Sequence, residues 1–202
     1  MNMKKTRILY EGDLKEKKGI EVNMPVGNVE VSPGHPHLLA TTQNLDGHVE
    51  ISDSENIQRI TGNKCSLKIT FAPTTDLGIK VDGGNVKVGG LSPKNFSVLL
   101  REGNLNLDLV NLEPKTSNIS MDHGRIVGTL EFTSVKDFES TLNLLSGYAN
   151  IKLVLPEDLG LKTVMESKFN GLLNLPKDIE GRKTLTFRIY AREGILRVSS
   201  KR

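Results

Sequence analysis

Apolar and polar residues alternate in short runs along this chain, and most of the runs follow a glycine. In the fullest copy, Gly147 is followed by apolar residues at positions 149, 151, 153 and 155, with Asn150 and Lys152 between them. Alternation at period two places one set of side chains inside and the other in solvent, as in a half-buried β-strand. The glycine permits a turn with positive φ or a close approach between backbones. The pattern therefore predicts a strand that starts at a glycine turn.

The same pattern recurs with a period of about 20 residues, which indicates a repeat architecture. We interpret eight of the glycines as structural turn glycines: Gly27, Gly47, Gly84, Gly103, Gly124, Gly147, Gly171 and Gly194. A ninth, Gly62, begins a copy stretched by one residue and fills the longest gap in the series. Prolines follow several of the copies, at Pro33, Pro93, Pro114, Pro156 and Pro176. Proline lacks a ladder donor, so these positions predict corners between strands.

A second β-like run falls within each period, for example at residues 96–100 and 184–190. Two strands in each period predict an all-β fold, either a parallel β-helix (β-solenoid) of stacked coils or an antiparallel β-sandwich of hairpins. We favour the β-solenoid because glycine and proline recur in phase with the full period. Residues 134–145 also have helical spacing, but inside so regular an array we interpret them as strand.

No linker or low-complexity tract divides the chain, so we expect residues 1–202 to form one domain of eight to nine coils. Within it, we interpret residues 1–19 as an N-terminal cap strand and residues 20–198 as the repeat coils. The last residues, 199–202, are polar, and we expect them to fray.

Composition narrows the classes of function. Leu, Ile and Val make up 55 of the 202 residues, there is no Trp, and Phe and Tyr together number nine. Few flat aromatic faces argue against a base-stacking platform or a carbohydrate-stacking groove. The net charge is +3 and the basic residues are spread along the chain, so nucleic-acid binding is not expected.

The single cysteine, Cys65, rules out an intramolecular disulfide and fits a reducing compartment. No segment approaches the roughly 18 consecutive apolar residues that span a bilayer. The basic start of the chain is interrupted at Glu11 before an apolar stretch of signal-peptide length develops. We expect a cytoplasmic protein, with export as the alternative if a leader was removed.

At this point the residues resemble a known family. Residues 146–156 read Ser-Gly followed by alternating apolar residues and a proline, and new runs begin at Gly160 and Gly171. This is similar to the repeated phrases of the "putative adhesin" family, whose domains are head-GIN-like. Residues 20–31 are similar to the start of that domain. The resemblance implies a right-handed, repetitive β-solenoid of largely unknown molecular function, and it carries no catalytic residue across.

Few local groups of residues have the chemistry of a metal, catalytic or phosphate-binding site. His35 and His37 flank a proline and are the best metal candidates, but a structural zinc site needs four ligands and no second pair is recognisable. Asp122 and His123 place a carboxylate beside an imidazole, yet adjacent residues on a strand face opposite ways. The segment from Asp82 to Gly84 lacks the lysine and the helix of a phosphate loop. We expect no cofactor and no bound metal.

Stacking of coils could still assemble a site from distant residues, because each coil lies about 4.8 Å from the next. Such stacking could pair Lys80 with Arg101, or Glu30 with Glu50. We nevertheless expect a non-enzymatic scaffold, adhesin-like, that binds a protein partner or itself through its faces or ends, and no small-molecule substrate. Two alternatives are a bactofilin-like filament subunit and a protein that binds or cleaves polysaccharide.

Overall fold

The computed structural model describes residues 5–165 and 173–200, and within these ranges the chain is all-β with no helix. The strands belong to one mixed sheet. They are β1 (Arg7–Asp13), β2 (Gly19–Pro33), β3 (His37–Thr42), β4 (His48–Asp53), β5 (Ile57–Asn63), β6 (Cys65–Phe71), β7 (Asp76–Leu91), β8 (Asn95–Leu112), β9 (Thr116–Phe132), β10 (Phe138–Leu155), β11 (Leu159–Met165), β12 (Leu173–Asn174) and β13 (Lys183–Ser200).

Six long strands form the centre of the molecule, in the order β2, β7, β8, β9, β10 and β13. Each pairs with the next in parallel, and much of the pairing is in a constant register. Asn28, for example, lies beside Asn85, which lies beside Asn104. Residues 134–145, which have helical spacing in the sequence, contribute to the start of β10, as the strand interpretation predicted.

Each long strand consists of two arms that meet at a corner, and the parity of the buried positions changes there. In β8 the buried residues of the first arm are Phe96, Val98 and Leu100, and those of the second arm are Leu105, Leu107 and Leu109. A straight strand would keep one parity along its whole length. The change at Gly103 lets both arms point their apolar side chains into the same core. We call the outward surfaces of the first and second arms face A and face B.

One apolar core runs along the stack and contains the inward residues of both arms. The predicted alternation is confirmed in the Gly147 copy, where Ile151 is 2% exposed while Lys152 points to solvent. Burial of this aliphatic surface is the dominant favourable term in folding. The largest fully buried side chains include Phe71, Phe132 and Phe187.

Polar ladders fix the register outside the core. On face B, Asn85 donates from Nδ2 to Oδ1 of Asn28 at 3.0 Å, and Asn104 donates to Asn85 at 2.9 Å. At the start of the first arms, Asn95 joins the side chains of Asp76 and Thr116. Identical rows of amides bond only when neighbouring strands are in register, so these ladders select one alignment.

The N-terminal end differs from the centre because its strands are partly antiparallel. β4 and β5 form a hairpin, and β3 pairs antiparallel with both β1 and β6. The expectation of a uniform parallel stack is therefore wrong for this end. The copy that begins at Gly47 becomes the first strand of the hairpin instead of a parallel coil, since alternation specifies burial and not strand direction.

Chain order and stack order also differ at both ends. β2 lies between β6 and β7, and β13 lies between β10 and β11. The first long strand, β2, therefore lies between two strands that follow it in the chain. The last long strand, β13, lies between two strands that precede it. β13 continues to Ser200, with Ser199 beside Val154, so pairing extends into the segment that we expected to fray. Beyond β11, Leu161 and Ile179 exchange both backbone hydrogen bonds at 2.9 Å.

Candidate functional site

Six of the eight predicted turn glycines lie at the corners of the long strands with positive φ: Gly27, Gly84, Gly103, Gly124, Gly147 and Gly194. Five of them stack directly on one another, from Gly27 to Gly147, and we call this row the glycine ladder. A Cβ added at Gly103 would overlap the carbonyl oxygen of Gly84. The ladder therefore needs glycine both for its backbone angle and for the close approach of the next corner.

The other two turn glycines lie elsewhere. Gly47 follows a tight turn, donates its N–H to the carbonyl of Asn44 at 3.3 Å, and has no positive φ. It precedes an antiparallel strand, so it does not join the glycine ladder. Gly171 lies outside the described residues.

The two candidate metal ligands, His35 and His37, both turn toward the carboxylate of Asp13 at the end of β1. His35 Nε2 lies 3.5 Å from Asp13 Oδ2, and His37 Nδ1 lies 3.2 Å from Oδ1. Hydrogen bonds from His37 and then His35 lower the pKa of Asp13 below its usual value. Within the described ranges, no group of three or more His, Cys, Asp or Glu side chains is arranged to hold a metal ion. These contacts join the end of β1 to the loop before β3 and to the first residue of β3.

The carboxylate and imidazole noted in the sequence, Asp122 and His123, are not assembled with either nearby serine, Ser117 or Ser120. Asp122 and His123 lie at the glycine corner, while Ser117 points into the core and is 7% exposed. Ser120 lies on face A, away from that core position. No hydrogen bond between these side chains occurs in the part of the chain that the structure describes, so they do not form a nucleophile, base and acid relay.

Neither of the two charge stacks that coil stacking could have produced is formed. Lys80 lies beside Leu99 and not beside Arg101, because β7 and β8 pair with an offset slightly shorter than the average period. Glu30 belongs to β2 and Glu50 to β4, and these two strands do not pair with each other. Distant residues do meet through stacking, but they are not the residues that the average period suggested.

A concave site lies where the first arms of β2, β7 and β8 begin. Two adjoining hollows of about 700 and 390 Å³ share Lys18, Ile20, Asn56 and Asp76 among their lining residues. We call the two hollows together the trough. The buried side chain of Ile20 contributes to the lining of both hollows, and the rims are polar.

One wall of the larger hollow carries four lysines, next to the exposed carboxylates of Glu16 and Glu55. Lys15 and Lys17 form ion pairs with Asp53, at 3.0 and 3.4 Å. The hydrogen bond from Lys15 is the main cause of the lowered pKa of the Asp53 carboxyl, and Lys17 lowers it further. Lys18 and Lys94 are exposed, and neither forms an ion pair with an acidic side chain among the described residues. Two cations thus remain available at the rim of a concave surface.

Beside these lysines, one residue further along the strands, lies a row of polar side chains held in fixed positions. The backbone N–H and Nδ2 of Asn95 donate to the two carboxylate oxygens of Asp76, at 3.1 and 2.9 Å. Thr116 donates from Oγ1 to Oδ1 of Asn95 at 3.1 Å. A carboxylate offers about four lone-pair positions, so Asp76 keeps acceptor capacity for a ligand hydroxyl. The row is pre-organised before any ligand binds.

One weak feature of the sequence points to the trough, namely lysines placed directly before long strands. Lys94 and Lys115 each directly precede the first residue of a long strand, one repeat apart, and Lys18 directly precedes β2. Lys18 and Lys94 are far apart in the chain, with six strands between them, β2 to β7. They share one row only because β2 is inserted beside β7, and nothing in the alternation predicts that insertion.

Comparison with known proteins gives three solved structures of similar shape. No family model and no protein of curated function matches the chain. A "putative cell adhesion protein" from Clostridium sporogenes is 11% identical, with 98% of this chain and 99% of that chain covered at a TM-score of 0.49. A "putative adhesin" from Bacteroides fragilis is 17% identical, with 98% of each chain covered at 0.46.

The third structure, a "putative adhesin" from Parabacteroides merdae, is 11% identical, with 96% of this chain and 97% of that chain covered at a TM-score of 0.35. No helix in the described ranges has the length and apolar character needed to cross a membrane. The chain is similar to these three structures over nearly its whole length, and at such identities and TM-scores the similarity assigns it neither a family nor an activity.

Proposed function

We propose that this chain is a right-handed β-solenoid that acts as a non-enzymatic, adhesin-like interaction scaffold. The observation that carries the proposal is the pair of broad outward faces on six long parallel strands, whose inward positions are filled by one continuous apolar core. Close-packed interiors of this kind hold a surface in a fixed shape. A fixed surface lowers the entropic cost of binding a partner.

Right-handedness follows from a general rule, since crossovers between parallel strands of one sheet are right-handed in about 98% of cases. The segments that connect β7, β8, β9 and β10 in sequence are only three to five residues long. Such short connections favour a coil that returns directly to the next layer. A crystal structure with left-handed coils would overturn this part of the proposal.

The two faces differ in the chemistry that they present. On face A, the outward residues of β8, β9 and β10 include short uncharged side chains such as Ser97, Asn118 and Thr141. Face B presents charged side chains beside its row of asparagines, as in the ion pair of Glu30 and Lys87. Short side chains lose little rotamer freedom on binding, so face A is the surface that we expect to contact a partner.

The filament alternative requires two open ends that stack on one another. At the C-terminal edge, however, both backbone groups of Leu161 already bond to Ile179, and the N–H of Thr163 donates to Asp178. A second copy would have to displace these bonds before it could pair with β11. We therefore favour a monomeric scaffold, and occupied edges are a common protection against edge-to-edge association.

Site-specific photo-crosslinking in the native host tests the scaffold. A crosslinking residue at Ser97 samples face A, and one at Asn106 samples face B, on the same strand. We expect a discrete crosslinked partner from Ser97. A ladder of self-crosslinked multimers would support the filament instead, and no product from either position would contradict the scaffold.

A further inference from the structure

We propose that the trough binds an anionic saccharide, meaning a sugar ring that carries a carboxylate or a sulfate. The anionic group would meet Lys18 and Lys94, and the ring hydroxyls would meet Asp76, Asn95 and Thr116. This inference rests on the proposed binding function and names the class of ligand. The three lines of support are the position of the lysines, the fixed polar row and the shape of the hollow.

The lysines lie in one row at the starts of successive strands. Gly19 pairs with Asp76, and Asn95 pairs with Thr116, so the residues directly before them form the row Lys18, Thr75, Lys94 and Lys115. Neighbouring strands are about 4.8 Å apart, which separates the backbones of Lys18 and Lys94 by about 10 Å. Two long flexible cations at that distance can converge on one anionic group from both sides.

The polar row lies one residue further along the same strands, so cations and hydroxyl-binding groups stand side by side. Asp76 can only accept hydrogen bonds when ionised, while Lys18 and Lys94 can only donate. Sugar hydroxyls both donate and accept, and they can satisfy these groups together. The smaller hollow, about 390 Å³, has a size typical of small-ligand sites and contains buried Ile20 and Phe96 in its lining.

An acidic peptide fits the trough less well than a saccharide. Peptides commonly bind by adding a strand to an open sheet edge. The first arms of β2 and β7 are hydrogen-bonded on both sides, so the trough offers no such edge. Nucleic acid is also disfavoured, since base stacking needs exposed aromatic faces. The aromatic lining residues, Phe71 and Phe96, are 2% and 3% exposed.

Isothermal titration calorimetry tests the proposal with the full chain and four defined probes: an oligogalacturonate, a neutral oligogalactan of the same length, free galacturonic acid and an oligoglutamate. We expect the oligogalacturonate to bind and the neutral oligomer to bind at least about tenfold more weakly. Affinity for the anionic oligomer should fall as salt is raised, because exposed charges are screened. Equal binding of the monosaccharide and the oligomer would identify the ligand as a free sugar acid.

The decisive variant is Lys18→Ala/Lys94→Ala, which removes both unpaired cations at the rim. Its matched control is Lys152→Ala/Lys162→Ala, which removes the same charge from exposed positions away from the trough. We expect at least about a tenfold loss of affinity in the first and no change in the second. Circular dichroism and the melting temperature establish that both variants are folded.

Three results would overturn the proposal while leaving the scaffold intact. The neutral and anionic oligomers could bind equally, the trough variant could bind like its control, or the oligoglutamate could bind as tightly as the oligogalacturonate. The last result would reassign the trough to acidic peptides. Ser97 also lines the smaller hollow, but the scaffold is tested there and at Asn106 by protein crosslinks and the trough by saccharide affinity, so the two proposals can fail independently.

Discussion

The copies of the repeat that begin at Gly103 and Gly47 look alike in the sequence and differ in the structure. Each glycine is followed by apolar residues two and four positions later. At Gly103 the chain turns a corner in the middle of the stack, with glycines of β7 and β9 on either side. At Gly47 the chain enters β4, an antiparallel hairpin strand whose apolar residues, Val49 and Ile51, are only partly buried.

This difference shows that the motif determines which side chains are buried and that the neighbours determine how the strand is paired. A glycine corner can join the glycine ladder only if the adjacent corners are also glycine, since a Cβ there would meet a backbone carbonyl. Matching amides, such as Asn85 beside Asn104, add a second condition. The Gly47 copy has neither, and it pairs with the strand that follows it in sequence.

The largest expected loss of stability comes from a charge placed in the core of a central copy of the motif, and the same change in an end copy should cost less. Ile151→Asp places a charge in the core of β10, where the side chain is 2% exposed. Burying an unpaired carboxylate should cost about 4 kcal/mol or more, so we expect the chain to unfold or nearly so. Ile51→Asp changes the equivalent, half-buried position of β4 and should cost less than half as much. Urea unfolding measures both.

Lys152→Asp is the control for Ile151→Asp, because it adds a carboxylate one residue away on the solvent side. Its effect should stay within about 0.5 kcal/mol. If Ile51→Asp proved as damaging as Ile151→Asp, the hairpin would be as tightly packed as the central stack. The contrast between the two regions would then be wrong.

The next effect comes from the glycine ladder. Gly103→Ala introduces a Cβ at φ 140° that overlaps the Gly84 carbonyl. Backbone strain and displacement together should cost about 3 kcal/mol, again measured by urea unfolding. Gly89→Ala is the control, because a Cβ there meets no atom within 4 Å. A Gly103→Ala protein as stable as Gly89→Ala would contradict the close stacking of corners.

Much of the central fold can be predicted from the sequence, because it depends on properties of neighbouring residues in the chain. Period-two alternation predicts which side of a strand is buried, and Ile151 and Lys152 lie as it predicts. Positive φ at Gly84 and Gly103 follows from what glycine alone tolerates. The insertion of β2 between β6 and β7 cannot be read in this way, because it depends on pairing between distant parts of the chain, such as Asn28 with Asn85.

The trough could not be predicted from the sequence for the same reason. Its basic rim needs Lys18 and Lys94 in one row, and its polar row needs Asp76 beside Asn95. Each pair arises from the stacking of strands and not from a local motif. The histidine pair was visible in the sequence, but its partner, Asp13, belongs to another strand. Sequence reasoning therefore found the residues with conspicuous chemistry and missed those that stacking brings together.

A smaller effect is expected at the C-terminal edge. Asp178 accepts hydrogen bonds from the N–H and Oγ1 of Thr163, at 3.1 and 3.3 Å. Asp178→Ala should weaken the edge locally by about 1 kcal/mol and speed hydrogen exchange at the Thr163 amide. Glu180→Ala, at a nearby exposed position, should leave that exchange unchanged. Equal exchange in both variants would mean that the carboxylate does not cover the edge.

The smallest effect concerns the N-terminal edge and depends on pH. Hydrogen bonds from His37 and His35 lower the pKa of Asp13, so the folded state favours its ionised form. A carboxyl with a lowered folded pKa adds stability above its unfolded pKa, near 4, and loses it as the pH falls through the folded value. Asp13→Asn should therefore loosen β1 near neutral pH and have no effect at lower pH, once the wild-type carboxyl is protonated.

Hydrogen exchange at the His37 amide, followed across this pH range, compares the wild type with Asp13→Asn. Asp13 lies beside His37 in the pairing of β1 with β3, so a weaker contact there should speed exchange locally without changing global unfolding. A central residue such as Ile126 should show no difference at any pH. If the Asp13 carboxyl titrates at its ordinary value in NMR, the histidines do not hold it in solution. The N-terminal edge would then be secured by backbone pairing alone.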